Sequence, residues 1–171
     1  NLLLAELAVH HLDMVIADRP MPANLNVRGY SHLLGESDLT VFGAAAQVAA
    51  LGGAFPRVLD GAPFLLPGED VAIRSRLEQW FEAEGIQPDI VGEFDDSALL
   101  TAFGQAGVGL FVAPSAIATA VCAQYDVQAL GRIKAIREQL YAITTERHLT
   151  HPAIVAIRDA ARDEVFGVAK Q

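Results

Sequence analysis

Two stretches of this chain place oxygen-bearing side chains where a ligand could meet them. Gly92-Glu93-Phe94-Asp95-Asp96-Ser97 sets a carboxylate pair between an extended apolar run and a Leu/Ala/Phe segment of helical pattern. Gly107-Val108-Gly109 then leads through Leu110-Phe111-Val112 to Ala113-Pro114-Ser115, a second strand end followed by a turn. In open α/β sheets, ligands sit outside the carboxyl ends of the strands, so both ends are candidate binding positions. The aspartate pair could bind a cation or a donor on a ligand. It could equally cap the helix that follows, a role worth about 1 kcal/mol. A hard cation wants roughly six oxygens, and two carboxylates alone supply too few.

Other reactive side chains lack partners at useful spacing. Ser115 is outside any Gly-x-Ser-x-Gly elbow, and Cys122 has no paired histidine in a known motif. Gly107-Val108-Gly109 precedes a strand instead of opening a helix, so it is no phosphate loop. His148 and His151, with Glu146 nearby, have a metal-like spacing but straddle a strand end and a helix start, with no third ligand. His10-His11 closes a helical segment and can meet its terminal carbonyls. Asp18 follows a short strand and precedes Pro20 and Pro22; it is either a turn residue or a ligand contact. No catalytic residue, resident metal or cofactor is expected.

The totals narrow the class. The 171 residues are 52% hydrophobic, enough for one domain or two small lobes. A net charge of -9 argues against direct binding to nucleic acid or anionic membranes. A single cysteine rules out an internal disulfide and fits a reducing cytoplasm. Leu39 to Pro56 and Ser97 to Tyr125 carry no charged side chain. Both are broken by Gly, Gln and Pro, and read as strands and helices buried on both faces, not as a membrane span of about 20 apolar residues. A chain that opens at Asn1 inside a helical pattern is expected to be a fragment of a longer, soluble protein.

The elements that must position these residues follow from periodicity. Leu2 to His10 predicts a helix, and Leu12 to Ala17 a strand stopped by Pro20. Val27 to Leu34 and Leu39 to Gly43 predict two strands parted by a Gly35-Glu36-Ser37-Asp38 turn. Ala44 to Leu51 predicts a short helix, and nothing from 44 to 62 suggests chemistry. Pro63 to Pro67 predicts a strand, and Val71 to Glu84 a helix with Ile73, Leu77, Trp80 and Phe81 on one face, Asp70 as its cap and Gly85 as its stop. Strands at Gln87 to Phe94 and Leu110 to Val112 flank a helix at Ser97 to Ala106, an alternation that implies parallel βαβ units. Val127 to Ile133 and Gln139 to Glu146 predict two more strands, and Ala153 to Phe166 a last helix.

In this order the chain resembles the effector-binding domain of LysR-type transcriptional regulators. The resemblance rests on His11-Leu12-Asp13-Met14-Val15-Ile16, on Leu66-Pro67 before the Arg-containing helix ending Leu77-Glu78-Gln79-Trp80-Phe81, and on the Gly-x-Gly strand to Ala113-Pro114-Ser115. Trp80-Phe81, Gly92 to Asp96, Ala102-Phe103-Gly104, Phe111 to Pro114 and Glu146-Arg147 with His151-Pro152-Ala153 are similar to a branch that activates sodium/proton antiporter expression.

The resemblance implies an α/β fold of two Rossmann-like lobes of the type 2 periplasmic-binding-protein kind, with an effector cleft between them. It places 1–61 and 131–171 in the first lobe and 62–130 in the second. The family's DNA-binding helix-turn-helix, and the first strand–helix–strand of the first lobe, have no counterpart in these residues. By position, the family's cleft contacts carry over to Ala17, Asp18, Gly35, Glu36, Pro67, Gly68, Asp95, Asp96, Ala113, Pro114 and Ser115. Helix amino termini near 69–71, 97 and 115 would form an anion site in that cleft, offset by Glu69, Asp70, Asp95 and Asp96. Sodium or lithium is the signal implied, the partners being a small-molecule or ionic effector, further copies of the chain as dimer or tetramer, and DNA through the absent domain. A solute-binding protein, or an enzyme such as a deaminase or transferase on the same scaffold, is the alternative.

Overall fold

The computed structural model describes residues 14–23 and 29–145, together with 152, 155, 156 and 159. The helices expected at 2–10 and 153–166, and the histidines at 10, 11, 148 and 151, lie outside these or at their margins. The described strands are β1 (Met14–Ala17), β2 (Tyr30–Ala44), β3 (Pro63–Pro67), β4 (Asp89–Phe94), β5 (Phe111–Pro114) and β6 (Val127–Thr144). The helices are α1 (Ala45–Ala50), α2 (Ala72–Glu84), α3 (Ser97–Gln105) and α4 (Ala118–Tyr125), with 3-10 turns at Arg57–Leu59 and Ser115–Ile117.

The chain divides into two compact units, one of residues 38–136 and one of 1–37 with 137–171. Residues 39–42 join the 38–136 unit because they pair with β5, Leu39 opposite Pro114 and Phe42 opposite Phe111. In the other unit, β1 pairs antiparallel with the end of β6, Met14 opposite Thr144. There His32 Nε2 lies 3.3 Å from Thr144 Oγ1.

Within residues 38–136, β3 and β4 run parallel with α2 between them, the expected βαβ unit. Leu110, just before β5, bridges Phe64 in parallel, and the Leu65 amide donates to its carbonyl at 2.7 Å. β5 is antiparallel to β2, so the sheet is mixed. Side chains alternate across it. Phe64, Leu66, Leu39, Val41, Leu110 and Ile133 face Ile73, Leu77 and Phe81 of α2. Leu65, Phe42, Phe111 and Val127 face Leu100 of α3 and Val121 of α4. Burying each such Leu or Phe stabilises by about 1.5–3 kcal/mol. Gly104 lets α3 close onto the sheet, since a methyl there would run into the Phe111 ring.

Four local expectations change. Residues 35–38 are not a turn: β2 runs unbroken from Tyr30 to Ala44 between β6 and β5, the latter paired along Leu39 to Phe42, although the composition of 35–38 alone suggests a loop. The two strands expected after 126 are the single β6. Asp70 does not cap α2; Val71 holds the N-cap position, without a side-chain bond. At 115 the chain makes a 3-10 turn, and α4 begins at Ala118. Gly85 does stop α2, at φ 64° and ψ 34°, the left-handed conformation that glycine adopts without penalty. No helix of the described residues is long and apolar enough to cross a membrane.

Candidate functional site

β4, β3 and β5 are parallel, so Phe94, Pro67 and Pro114 finish at one edge of the sheet. The antiparallel β2 enters at that edge with Asp38, Leu39 and Thr40. The sequence-derived positions in this unit therefore converge: Pro67 and Gly68 after β3, Asp95 and Asp96 after β4, and Ala113, Pro114 and Ser115 at β5. The Gly68 amide donates to the Phe94 carbonyl at 2.8 Å. Asp95 lies over the α-carbon of Gly68, in space a side chain would fill.

The two aspartates have different jobs. Asp96 is the α3 cap: its Oδ1 accepts from the amides of Ala98 at 2.7 Å and Leu99 at 3.3 Å. That carboxylate fills the amino terminus the sequence offered as part of an anion site. Asp95 is exposed. Among the described residues, no group of three or more His, Cys, Asp or Glu is placed to hold a metal ion.

At β5 the geometry is tighter. Ser115 Oγ donates to Asp38 Oδ1 and lies 2.7 Å from Thr40 Oγ1. Arg132 of β6 grips the same carboxylate side-on, Nε to Oδ1 at 3.1 Å and Nη2 to Oδ2 at 2.8 Å. The Asp38 side chain is 4% exposed and the Arg132 side chain 44%. A buried carboxylate needs such donors, because an unpaired charge in the interior costs several kcal/mol. The guanidinium is the part that reaches solvent. Both hydroxyl hydrogens are used inside the cluster, Ser115 on Asp38 and Thr40 on Ser115, so the half-exposed Arg132 side chain is the part that could meet a carboxylate of a small ligand.

Arg74 of α2 braces the neighbouring strand ends. Its guanidinium donates to Glu78 at 2.7 Å, to the Pro67 carbonyl at 2.9 Å and to Glu93 at 3.0 Å. The bonds to Glu93, then Glu78, raise its pKa above the ordinary arginine value. A raised pKa means the stabilisation is complete below that ordinary value and is lost only as pH climbs through the raised one, so it does not vary near neutrality.

The remaining sequence-derived positions lie in the other unit. Ala17 ends β1 opposite Tyr141. Asp18 is exposed and pairs with its neighbour Arg19 at 3.1 Å. Gly35 lies within β2, and Glu36 accepts from Arg137 Nε at 3.4 Å. Asp38, Thr40 and Arg132 were missed by sequence reasoning. The available signal was a carboxylate heading the uncharged run Leu39 to Pro56, read there as the last residue of a turn.

Known proteins fit this architecture. Residues 1–165 match the family model described as LysR substrate binding domain. Transcriptional activator protein NhaR of Escherichia coli (strain K12) is 32% identical over 169 residues, 99% of this chain. The chain spans 55% of that relative's length. Among solved structures, the effector domain of the regulator AmpR of Pseudomonas aeruginosa superposes with a TM-score of 0.54 at 20% identity, over 96% of this chain and 78% of that one. The effector-binding domain of QuiR in complex with shikimate gives 0.52 at 18% identity, over 93% and 74%. Identities this low speak to the fold alone.

Proposed function

We propose, from the premise that this chain belongs to the LysR substrate-binding domain family, that it is the effector-sensing and oligomerisation domain of a transcriptional activator similar to NhaR. The observation that carries the reading is the Asp38–Ser115–Arg132 cluster at the strand-end edge. It is a polar cluster around a buried carboxylate at a strand-end edge, where folds of this type take ligands. The role is binding, not catalysis. The cluster turns the half-exposed Arg132 side chain toward solvent, and QuiR, of the same fold, was solved in complex with shikimate. The effector that meets Arg132 is accordingly a small organic anion. The sodium or lithium signal implied by the antiporter-activator branch acts on the same regulator, with DNA held by a helix-turn-helix outside these residues.

Further copies of the chain are the second partner. Leu99, Phe103 and Val108 on and after α3, and Ile90 and Val91 on β4, are large apolar side chains left exposed. β4 is an edge strand, and Ser97 to Tyr125 has no charge in a chain of net -9. Two copies meeting through α3 avoid most of the like-charge repulsion of a chain of net charge -9.

The test is thermal stability of the chain in sodium, lithium and potassium chloride, and with a panel of small carboxylates, at constant ionic strength. A ligand of the folded state raises the melting temperature by mass action. A rise with a carboxylate that Arg132→Lys abolishes is expected. A rise with sodium or lithium alone would move sensing to the ion and away from this cluster. No rise with any of them would overturn the sensing role.

A further inference from the structure

Phe55 sits in the stretch 44–62, where the sequence suggests no chemistry. Its ring occupies the space where a side chain on residue 131 would stand. A methyl built on Gly131 would lie 2.6 Å from Phe55 Cδ2 and 2.7 Å from Cδ1, closer than real methyl groups come. The ring is thus seated on the backbone of β6. Successive strand residues point to opposite faces. Arg132, the next residue, therefore points away from Phe55 and meets Asp38 at 3.1 and 2.8 Å.

The ring is itself braced. It stacks on Trp80 of α2, centroids 6.4 Å apart and planes 24° from parallel. Two residues on, Arg57 Nη1 donates to the carbonyls of Glu84 and Gly85, tying the segment to the end of the same helix. Phe55, Trp80 and Leu130 pack half-buried against one core cluster. The Arg132 side chain is 44% exposed. Its reach to Asp38 depends on where the β6 backbone lies, and a two-point guanidinium–carboxylate contact tolerates little displacement.

We propose that Phe55 is a positioning residue for the Asp38–Arg132 pair: its ring, held by Trp80, sets the backbone of β6 at Gly131 so that Arg132 closes on the carboxylate. Its functional weight rests on the reading of this cluster as the effector site, whereas its geometry does not.

The test is solvent hydrogen exchange of the Arg132 Nε–H, followed by NMR on the whole chain and assigned by its disappearance in Arg132→Lys. The Nε–H of Arg74, 2.7 Å from Glu78, serves as internal control. Phe55→Ala is expected to speed Arg132 exchange roughly tenfold or more, the scale of losing a charge-assisted hydrogen bond, and to leave Arg74 unchanged. Gly131→Ala, which drives the ring off the strand, should do the same, and Phe55→Tyr should restore the slow rate. Unchanged Arg132 exchange in Phe55→Ala, or equal acceleration at both arginines, would overturn the proposal. If Phe55→Ala does not fold, Phe55→Leu keeps apolar bulk without the flat face and carries the same expectation. A carboxylate panel that fails to bind while these rates behave as expected counts against the effector reading only.

Discussion

Asp38 and Arg132 are 94 residues apart in sequence and meet as a fork on a carboxylate, Nε on one oxygen and Nη2 on the other. The pair is lopsided: the acid is buried at 4% exposure and the base is 44% exposed. The two halves should therefore not be equally dispensable. Arg132→Ala strands a buried carboxylate, and a loss of about 2–4 kcal/mol is expected, below the full buried-pair range because the arginine is partly solvated. Asp38→Asn keeps the shape and an acceptor for Ser115 while the guanidinium rehydrates, so about 1 kcal/mol is expected. Urea unfolding of the two variants checks the order; equal losses would mean that the carboxylate is wetter than its burial implies.

Helix capping gives a second contrast. Asp96→Ala should cost about 1 kcal/mol, since its carboxylate accepts from two amides of the first turn of α3. Asp70→Ala should change stability by a few tenths at most, because the cap position of α2 is Val71. Paired melting curves under one buffer decide it. A larger loss at Asp70 would restore the sequence-based assignment.

Two glycines separate packing from backbone freedom. Gly104→Ala pushes a methyl into the Phe111 ring and should destabilise by about 1–3 kcal/mol. Nothing lies within 4 Å of a side chain built at Gly52, so Gly52→Ala should be neutral or stabilise by up to about 1 kcal/mol through the unfolded chain. Chemical denaturation of both variants measures the difference.

Self-association is checked on the uncharged face. Phe103 is 45% exposed and touches Phe94 with ring centroids 5.1 Å apart. Phe103→Glu should leave the melting temperature within a few degrees, because the position is half in water, and shift the chain to smaller species in sedimentation. An unchanged species distribution would remove α3 from the interface.

How much of this was legible in the sequence depended on whether the cause was local. The strand–helix–strand run from Pro63 to Pro114, the stop at Gly85 and the cap at Asp95-Asp96 follow from hydrophobic period and from contacts a few residues apart, which a linear sequence displays. So do the strand ends carrying Pro67, Gly68, Ala113 and Ser115, which the fold brings to one edge of the sheet. The composition of Gly35 to Asp38 favours a turn, whereas β2 runs straight through it as a strand beside β6, from the far side of the chain. The same non-local pairing buries Asp38, brings Arg132 to it, and seats Phe55 on Gly131. Each of those contacts joins elements whose register no single segment encodes. The sequence by itself determined the elements and the edge where a site could lie; the tertiary structure alone decided which charge is buried there and which one stays half-exposed.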